Sequence, residues 1–312
     1  MAPIVVPIES EAENRALDYL EQGLSNSQFA SLAQLSRVPD VEMQSLLERL
    51  GGTLRPTKGL GSFLSEDEIA NHFHELARIY LTSNEDPADV IRRRHASRIF
   101  LDSLGRTGLT LARGLGASFI GSVLSMDNAS VSAKDLGNLG YTEMQLGVAR
   151  VKAANALLDR ALVQQHSRLS ASMENLDLAI LISNDVQGPD GYHTWMRREV
   201  PHFSIVFDEA GVQVSPIVLP GITPCLACME LAKIDEDANW IAIAPQLAAL
   251  ERSLEDSAMV LFAVSVALNQ TLLLLDTGAE ALPALAYRLE RTGAVSRFQV
   301  AARDCGCRAN LS

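Results

Sequence analysis

Short apolar runs separated by amphipathic stretches recur along the last two-thirds of the chain. Several runs end at a glycine or an acidic residue, and the stretches between them have apolar residues at helical spacing. The strand-like runs are 98–102, 119–127, 167–172, 176–185, 203–211, 212–221 and 297–303. The helical stretches between them are 109–118, 145–165, 194–200 and 240–253. This order predicts an α/β fold with a doubly wound, Rossmann-like sheet and an antiparallel addition near the C-terminus.

Residues 1–56 have a different pattern, which predicts a small helical, winged-helix-like domain. Its helices are expected at 10–24, 28–36 and 41–50. The bundle could be a packed accessory unit, or a peptide-docking module in which residues 4–8 form an edge strand that accepts an extended peptide. Residues 57–96 follow as a linker and a helix, and the α/β domain occupies 97–312.

One long apolar stretch, residues 257–278, is nearly long enough to span a bilayer. Asn269 and Gln270 interrupt it and no basic flank follows, which favours a helix buried in the α/β core. The first residues lack the basic start and long apolar run of a signal peptide. We therefore expect a soluble, cytoplasmic protein that does not insert into a membrane.

Composition and charge exclude two classes of partner. Hydrophobic residues make up 47% and charged residues 21% of 312 residues, as in ordinary globular proteins. The formal net charge is −12. Nucleic acids and anionic membranes attract surfaces rich in Lys and Arg, so neither is expected as the main partner.

The four cysteines form two close pairs. Cys225 and Cys228 have the Cys-x-x-Cys spacing, and Cys305 and Cys307 lie at the C-terminal end. Four thiolates that converge suit a tetrahedral zinc ion, and such a site leaves no open position for water. Two disulfides are an alternative, but neither an export signal nor a high cysteine density supports them. A redox Cys-x-x-Cys would leave the second pair unexplained. The pattern favours structural zinc.

A glycine-bearing turn follows the first strand of the α/β domain. Gly105 and Gly108 have the spacing of the last two glycines of Gly-x-Gly-x-x-Gly, and Ser103 replaces the first. The helix that begins here could bind a phosphate through its backbone N–H groups. Glycine also permits close packing of a strand against a helix, so the motif alone leaves both interpretations open.

From residue 98 onward the chain resembles the ThiF/MoeB family, the ubiquitin-activating-enzyme-like adenylyltransferases. The shared features are the glycine turn, an acidic residue that ends the second strand, the segment Arg150–Ala153, a polar end of a later strand, and the paired cysteines. The resemblance implies a Rossmann-like fold, structural zinc and a homodimer. It also implies ATP with magnesium and adenylation of the C-terminal carboxylate of a small protein.

The resemblance also assigns candidate nucleotide contacts. The set is Gly105, Gly108, Asp127, Arg150 and Lys152, with Asp185 for magnesium. Several family positions are changed: Ser125 replaces the first acidic residue of the Asp-x-Asp pair, and Asn184 lies where the magnesium aspartate is expected. Lost phosphate-facing arginines can lower such a rate on the order of a thousandfold. Arg106 and Lys134 could compensate in part. No catalytic residue is assigned.

The segment 225–240 and the alanine-rich stretch after it resemble the ThiF-like partner proteins of azoline-forming cyclodehydratases. This resemblance implies a precursor peptide as partner, a separate cyclodehydratase, and no adenylation by the ThiF-like domain. The first hypothesis is thus a zinc-stabilised scaffold with an eroded ATP site that binds a peptide or protein. An active adenylyltransferase is the alternative, and an NAD-dependent oxidoreductase is a distant third.

Overall fold

The chain forms two compact units, Met1–Lys58 and Gly59–Ser312. The computed structural model describes residues 5–21, 24, 26–54, 64–83, 85–158, 163–165, 175–250, 252–279, 282 and 284–307. The smaller unit is helical in its described part, and the larger unit is built around a single sheet.

The small unit consists of short helices around one apolar core. Its helices are α1 (Glu11–Glu21), α2 (Asn26–Ala30), α3 (Leu32–Ser36) and α4 (Asp40–Leu50). The hydroxyl of Ser10 accepts a hydrogen bond from the Glu13 N–H, which fixes the start of α1. The buried core contains Ala16, Leu32, Val38, Met43, Leu46 and Leu50. The predicted helices are present, although the middle one is divided into α2 and α3.

The predicted edge strand at residues 4–8 is wrong in its described part, because residues 5–8 form no strand. Ile4 lies outside the described residues. Val5 is 86% exposed, and Pro7 has no N–H to donate. An extended segment is not stable as a strand without a neighbour, and the described part of this unit contains no second strand.

The described part of the large unit contains an eight-stranded sheet in the order β3-β2-β1-β4-β5-β6-β7-β8. Its strands are β1 (Arg98–Leu101), β2 (Ser122–Ser125), β3 (Val163–Gln165), β4 (Leu178–Asn184), β5 (His202–Phe207), β6 (Gly211–Val214), β7 (Leu285–Glu290) and β8 (Val295–Gln299). The strands from β3 to β5 are parallel, and β6, β7 and β8 add in antiparallel register. This confirms the doubly wound sheet and its antiparallel addition.

Nine α-helices lie in the described part of the large unit, and several of them cover the two faces of the sheet. They are α5 (Glu66–Asn71), α6 (Phe73–Thr82), α7 (Pro87–Ala96), α8 (Arg106–Ala117), α9 (Arg150–Leu157), α10 (Pro189–Arg197), α11 (Leu226–Glu236), α12 (Trp240–Ala248) and α13 (Ser257–Thr277). On one face α8 and α13 pack together over the strands, in the larger apolar cluster. On the other face Trp195 of α10 packs against Phe100 of β1.

Tertiary pairing changed several predicted elements. The helix predicted at 145–165 is only α9, because residues 163–165 pair with β2 in parallel register. The strand predicted at 167–172 lies outside the described residues. The last strand comes earlier than predicted and pairs with β7 in a hairpin. The helix predicted at 240–253 ends at Ala248.

The long apolar stretch forms α13. By length and composition it is the one helix in the described part of the chain that could cross a membrane, and half of its apolar window is buried inside the protein. It packs against α8, β5 and β6. Near its end Asp276 accepts two hydrogen bonds from the fully buried Arg94, at 2.8 and 2.6 Å. These contacts make α13 a core helix, as the sequence predicts.

Candidate functional site

Two sites hold the residues that the sequence singles out, and the first is the cysteine cluster. Cys225 lies at the N-cap of α11 and Cys228 lies in its first turn, so both thiols reach one point. The other pair is separated by Gly306, whose φ of 78° is in the left-handed region that favours glycine. This turn allows Cys305 and Cys307 to approach the helix end.

The geometry of the cluster suits a metal ion and not a disulfide. The Sγ atom of Cys228 lies 3.3 Å from the Sγ atom of Cys305 and 3.8 Å from that of Cys307. The Sγ atoms of Cys225 and Cys228 are 4.0 Å apart. All four sulfurs lie within 4.8 Å of one another. A tetrahedron with metal–sulfur bonds of about 2.3 Å has sulfurs about 3.8 Å apart, whereas a disulfide bond is about 2.0 Å long. Four cysteines that could hold a metal ion are therefore in place.

The cluster is partly buried, since Cys225 and Cys228 are buried whereas Cys305 and Cys307 are partly exposed. Burial raises the pKa of the Cys225 thiol to about 11 and also raises that of Cys305, so the protein alone does not stabilise the thiolates. The Arg303 N–H is 3.4 Å from the Cys228 sulfur and can donate to it. A bound cation would supply the positive charge that four neighbouring thiolates need.

The second site is a cleft at the carboxyl ends of β1, β2 and β4. β1 lies between β2 and β4, so the strand order reverses direction at β1. Ligands usually bind at such a point in a doubly wound sheet. The enclosed part of the cleft is a cavity of about 130 Å³. It is lined by Ser103, Gly105, Arg106, Lys134, Asp135, Arg150, Asn184, Arg252, Ser253 and Glu255.

The two glycines of the turn differ in what they do. A Cβ on Gly108 would lie 1.9 Å from the backbone oxygen of Ser103, so only glycine fits between β1 and α8 here. A Cβ on Gly105 would meet nothing closer than 3.5 Å. Gly105 precedes α8 and lines the cavity, whereas Gly108 is a packing residue within the helix.

Asp127 and Arg150 lie at the cleft but bind each other. Asp127 accepts a hydrogen bond from the Leu104 N–H at 2.8 Å and another from Arg150 at 3.0 Å. The second arm of Arg150 donates to Asp135 at 2.7 Å. Burial works against the charge of Asp135, but hydrogen bonds from Ser132 and Arg150 outweigh it and lower the pKa of this carboxyl. Arg150, Asp127 and Asp135 are thus paired with one another next to the glycine turn.

A further carboxyl, that of Asp102, follows the last residue of β1. Its oxygen accepts a hydrogen bond from the Ile182 N–H at 2.9 Å. Burial, together with the nearby charge of Asp127, raises the pKa of Asp102 to about 7. Because burial is the main cause, the raised pKa shows that the surroundings of Asp102 solvate its charge poorly.

Asp185, the candidate magnesium ligand, is paired with Arg252. The Arg252 Nε donates to one carboxylate oxygen at 2.8 Å, and a second guanidinium nitrogen donates to the other oxygen. These hydrogen bonds to Asp185 and Glu209 raise the pKa of Arg252. Asp185 also has a φ of 64°, an unusual backbone conformation for a residue other than glycine. Each oxygen of this carboxylate accepts a hydrogen bond from Arg252, so a metal ion bound here would compete with the guanidinium charge.

The remaining predicted contacts are divided between cleft and solvent. Lys152 is exposed on α9 and lies outside the cavity lining. Arg106 and Lys134, the two basic residues predicted to compensate, both line the cavity. Gly105 and Arg150 thus line the cavity, whereas Asp127 and Asp185 lie behind the lining and bind Arg150 and Arg252. Lys152 lies apart from all of them.

Sequence reasoning missed the segment 252–255, which precedes α13. Arg252 binds Asp185, and the Glu255 carboxylate accepts hydrogen bonds from the backbone N–H and the hydroxyl of Thr107. The helical pattern of the preceding stretch placed Arg252 inside a helix. A signal was available in the pair Glu255–Asp256 just before an apolar helix, since acidic residues often lie at helix starts. That signal marks α13 but does not reveal the contact with α8.

No family model matches this sequence, and no curated protein matches it. Solved structures do match. PaaA aligns with a TM-score of 0.66 at 14% identity, over 90% of this chain and 99% of PaaA. E. coli MccB with AMPCPP and MccA aligns with a TM-score of 0.64 at 12% identity, over 95% of this chain and 88% of MccB. The microcin C7 biosynthetic enzyme MccB with N-formylated MccA gives 0.61 at 13% identity, over 96% and 90%.

This chain has the α/β fold of PaaA and MccB. The alignments extend over almost the full length of each neighbour. The resemblance predicted from the sequence is therefore confirmed at the level of the fold. Identities of 12 to 14% show the fold alone.

Proposed function

We propose that this chain is a ThiF-like protein that binds a peptide or small protein in ribosomal-peptide modification and does not adenylate it. Its zinc-stabilised α/β domain serves as a scaffold, and its ATP site is eroded. Its fold neighbour MccB has been solved together with MccA, which supports a partner of this kind.

The observation that carries this proposal is that the charged groups expected to face a nucleotide form ion pairs with one another. Arg150 is divided between Asp127 and Asp135, and Arg252 covers both oxygens of Asp185. A triphosphate needs free cations, and magnesium needs free carboxylate oxygens. To bind Mg-ATP, the protein would have to break at least two buried or half-buried ion pairs, which is costly because each leaves an unpaired charge.

The cysteine cluster is proposed to hold zinc in a structural role. Four thiolates in tetrahedral arrangement suit zinc better than magnesium or calcium, which prefer oxygen ligands. Zinc would link the start of α11 to the end of the chain, and its four cysteine ligands would leave no position for a substrate. Metal analysis of the purified protein tests the assignment, and one equivalent of zinc per chain is the expected result.

The wider setting follows from the same resemblance. The protein is proposed to act in the cytoplasm as a homodimer, with a precursor peptide as ligand and a separate cyclodehydratase as its assembly partner. Size-exclusion chromatography with light scattering measures the oligomeric state. Titration with precursor peptides encoded beside the gene measures peptide binding.

Isothermal titration with Mg-ATP is the decisive test of the proposed function. We expect no heat of binding at micromolar concentrations of nucleotide, and binding of a precursor peptide without any nucleotide. A micromolar affinity of the wild-type protein for Mg-ATP would overturn the proposal. A control titration with apo-protein stripped of metal separates loss of folding from loss of binding.

The second candidate is an ATP-dependent adenylyltransferase that activates the C-terminus of a small ubiquitin-like or peptide substrate. Two observations favour it: MccB has been solved with ATP and with AMPCPP, and Arg106 and Lys134 line the cavity of this chain. In that case Gly105, Gly108, Asp127, Arg150 and Lys152 hold the nucleotide and Asp185 holds magnesium. Partner-dependent exchange of pyrophosphate into ATP would support this function.

A further inference from the structure

The segment 252–255, which we term the strap, is fastened to the end of β4. Arg252 donates to both carboxylate oxygens of Asp185, and the Leu254 N–H donates to the side-chain oxygen of Asn184 at 2.8 Å. Asn184 is the last residue of β4, and Asp185 follows it. The strap is therefore held at the edge of the sheet where the cleft opens.

The other end of the strap is fastened to the first turn of α8. The Glu255 carboxylate accepts hydrogen bonds from the Thr107 N–H at 3.0 Å and from its hydroxyl at 2.5 Å. The Arg106 guanidinium donates to the Glu255 backbone oxygen at 3.0 Å. The first turn of a helix presents unsatisfied N–H groups and partial positive charge, which favour an anion. Here an anion of the chain itself takes that position.

The strap also divides the space of the cleft. Ser253 and Glu255 line both the enclosed cavity of about 130 Å³ and an adjoining, more open one of about 430 Å³. Arg106 and Lys134 line both as well, so cations are present on each side. Small-molecule sites usually have about 300–1,000 Å³. The enclosed part is too small for a nucleotide. The open part reaches this range by itself, but Gly105 of the glycine turn lines only the enclosed part.

Arg291 holds the strap from the antiparallel side of the sheet. One of its nitrogens donates to the Leu254 backbone oxygen at 3.1 Å, and another pairs with Asp256, the N-cap of α13. Leu254 itself packs, half-buried, against the main apolar cluster. The contacts at the strap are thus mainly polar. Those of the Glu255 carboxylate are both with Thr107, and a competing anion could replace them.

We propose that the strap is an autoinhibitory element, in which Glu255 occupies the position of an anionic ligand and keeps the cleft closed. Release of Glu255 from Thr107 frees the first turn of α8 and joins the two cavities beside Arg106 and Lys134. The ligand admitted is a polyanion such as the phosphate chain of a nucleotide. This inference rests on the proposed function, because it adds a barrier to nucleotide beside the ion pairs of Arg150 and Arg252.

The test compares the full-length wild-type protein with Glu255→Gln and Glu255→Ala. Gln keeps the volume and removes the charge, and Ala empties the position. Calorimetric titration uses Mg-ATP and, separately, inorganic tripolyphosphate. We expect both variants to bind at least one of them ten times more tightly than the wild type or better. Hydrogen exchange of the peptide that contains residues 252–256 should be at least tenfold faster in both variants.

The matched control is Glu236→Gln, which makes the same charge change at an exposed position of α11. It should leave affinity and exchange unchanged. Binding of tripolyphosphate by the Glu255 variants identifies recognition of the phosphate chain, and binding of Mg-ATP alone adds recognition of the nucleoside; each supports the strap as a barrier. Circular dichroism establishes that the variants are folded.

Unchanged affinity for both ligands in folded Glu255→Gln would overturn the inference and make the strap a permanent part of the core. The outcome for the proposed function is read separately, from the wild-type titration alone. Micromolar binding of Mg-ATP by the wild type contradicts the proposed function. If neither the wild type nor the Glu255 variants bind Mg-ATP or tripolyphosphate, only the autoinhibitory role of the strap is contradicted.

Discussion

Several charged side chains of the cleft, among them Arg150 and Arg252, are used in pairing with other residues of the chain. Arg150 is mostly buried and binds Asp127 and Asp135, both of which are also buried or nearly so. Such a group contributes little net stability over an apolar one, but removal of one member leaves the others unpaired in a medium of low polarity. The arrangement therefore makes Arg150 a structural residue.

Replacement of Arg150 by Ala should lower the free energy of unfolding by about 3 kcal/mol, because it leaves two carboxylates without a counter-charge. Urea unfolding followed by circular dichroism measures the change. Lys152→Ala is the matched control on the same helix, and its effect should stay within about 0.5 kcal/mol because Lys152 is exposed. Equal effects of the two substitutions would show that the pairing of Arg150 is unimportant.

Asp102 predicts a pH dependence of stability. Its pKa is raised from 3.8 to about 7 in the folded state, so between these values the folded protein binds a proton that the unfolded chain has released. The free energy of unfolding contributed by this group therefore falls as the pH rises from about 4 to about 7. Above pH 7 the whole cost is present, on the order of 4 kcal/mol.

Asp102→Asn removes this titration and keeps an oxygen that can accept from the Ile182 N–H. The variant should therefore be more stable than the wild type at pH 8, and the difference should shrink steadily toward pH 4. Thermal and urea unfolding across this pH range give the comparison. A difference that does not vary with pH would contradict the raised pKa of Asp102.

At the scale of elements, the cysteine cluster links two distant parts of the chain. Cys225 and Cys228 belong to the start of α11, whereas Cys305 and Cys307 follow β8. The cluster therefore closes a loop that includes α11, α12, α13 and the hairpin of β7 and β8. A metal that binds only the folded state stabilises that state by its binding free energy. This gain offsets the chain entropy that is lost when the long loop is closed.

Cys228→Ser should abolish stoichiometric metal binding and lower the free energy of unfolding by more than about 3 kcal/mol, since three thiolates hold zinc less well than four. Mass spectrometry of bound metal and chemical unfolding are the two measurements. A strong chelator should bring the wild type close to the variant and leave the variant unchanged. If the chelator has no effect on the wild type, the cluster does not stabilise the fold through a metal.

Elements of regular pattern could be predicted from the sequence, and irregular ones could not. The parallel strand β4 and the helix α13 have long apolar runs, a pattern that predicts an element buried in the core. The segment 163–165 fits a helix locally and becomes β3 because β2 offers an unpaired edge. The strap has no periodic pattern at all, and its position depends on partners about 70 and 150 residues away in sequence.

At the scale of the whole molecule, both candidate sites belong to the larger unit, Gly59–Ser312. The cleft uses residues from 103 to 255 and the cysteine cluster uses residues from 225 to 307. The smaller unit has its own buried core. Each unit thus contains the apolar residues that its own folding needs.

A protein that consists of residues 59–312 should therefore fold cooperatively and keep one equivalent of metal. Loss of peptide binding in this shortened protein, with metal content unchanged, would assign the peptide to the small unit. Far-ultraviolet circular dichroism, metal analysis and peptide titration of the same sample make the comparison. A shortened protein without metal or a cooperative transition would show that the large unit depends on residues 1–58.

The sequence by itself determined the fold class and the cysteine pairs, because apolar periodicity and ligand spacing are local properties of the chain. It also identified part of the cleft lining, namely Gly105, Arg106, Lys134 and Arg150. Only the tertiary structure decided how these residues are used: that Arg150 and Asp127 bind each other, that Lys152 faces solvent, and that Glu255 reaches Thr107. Charge pairing depends on distances of a few ångströms between segments far apart in sequence, and no local pattern specifies them.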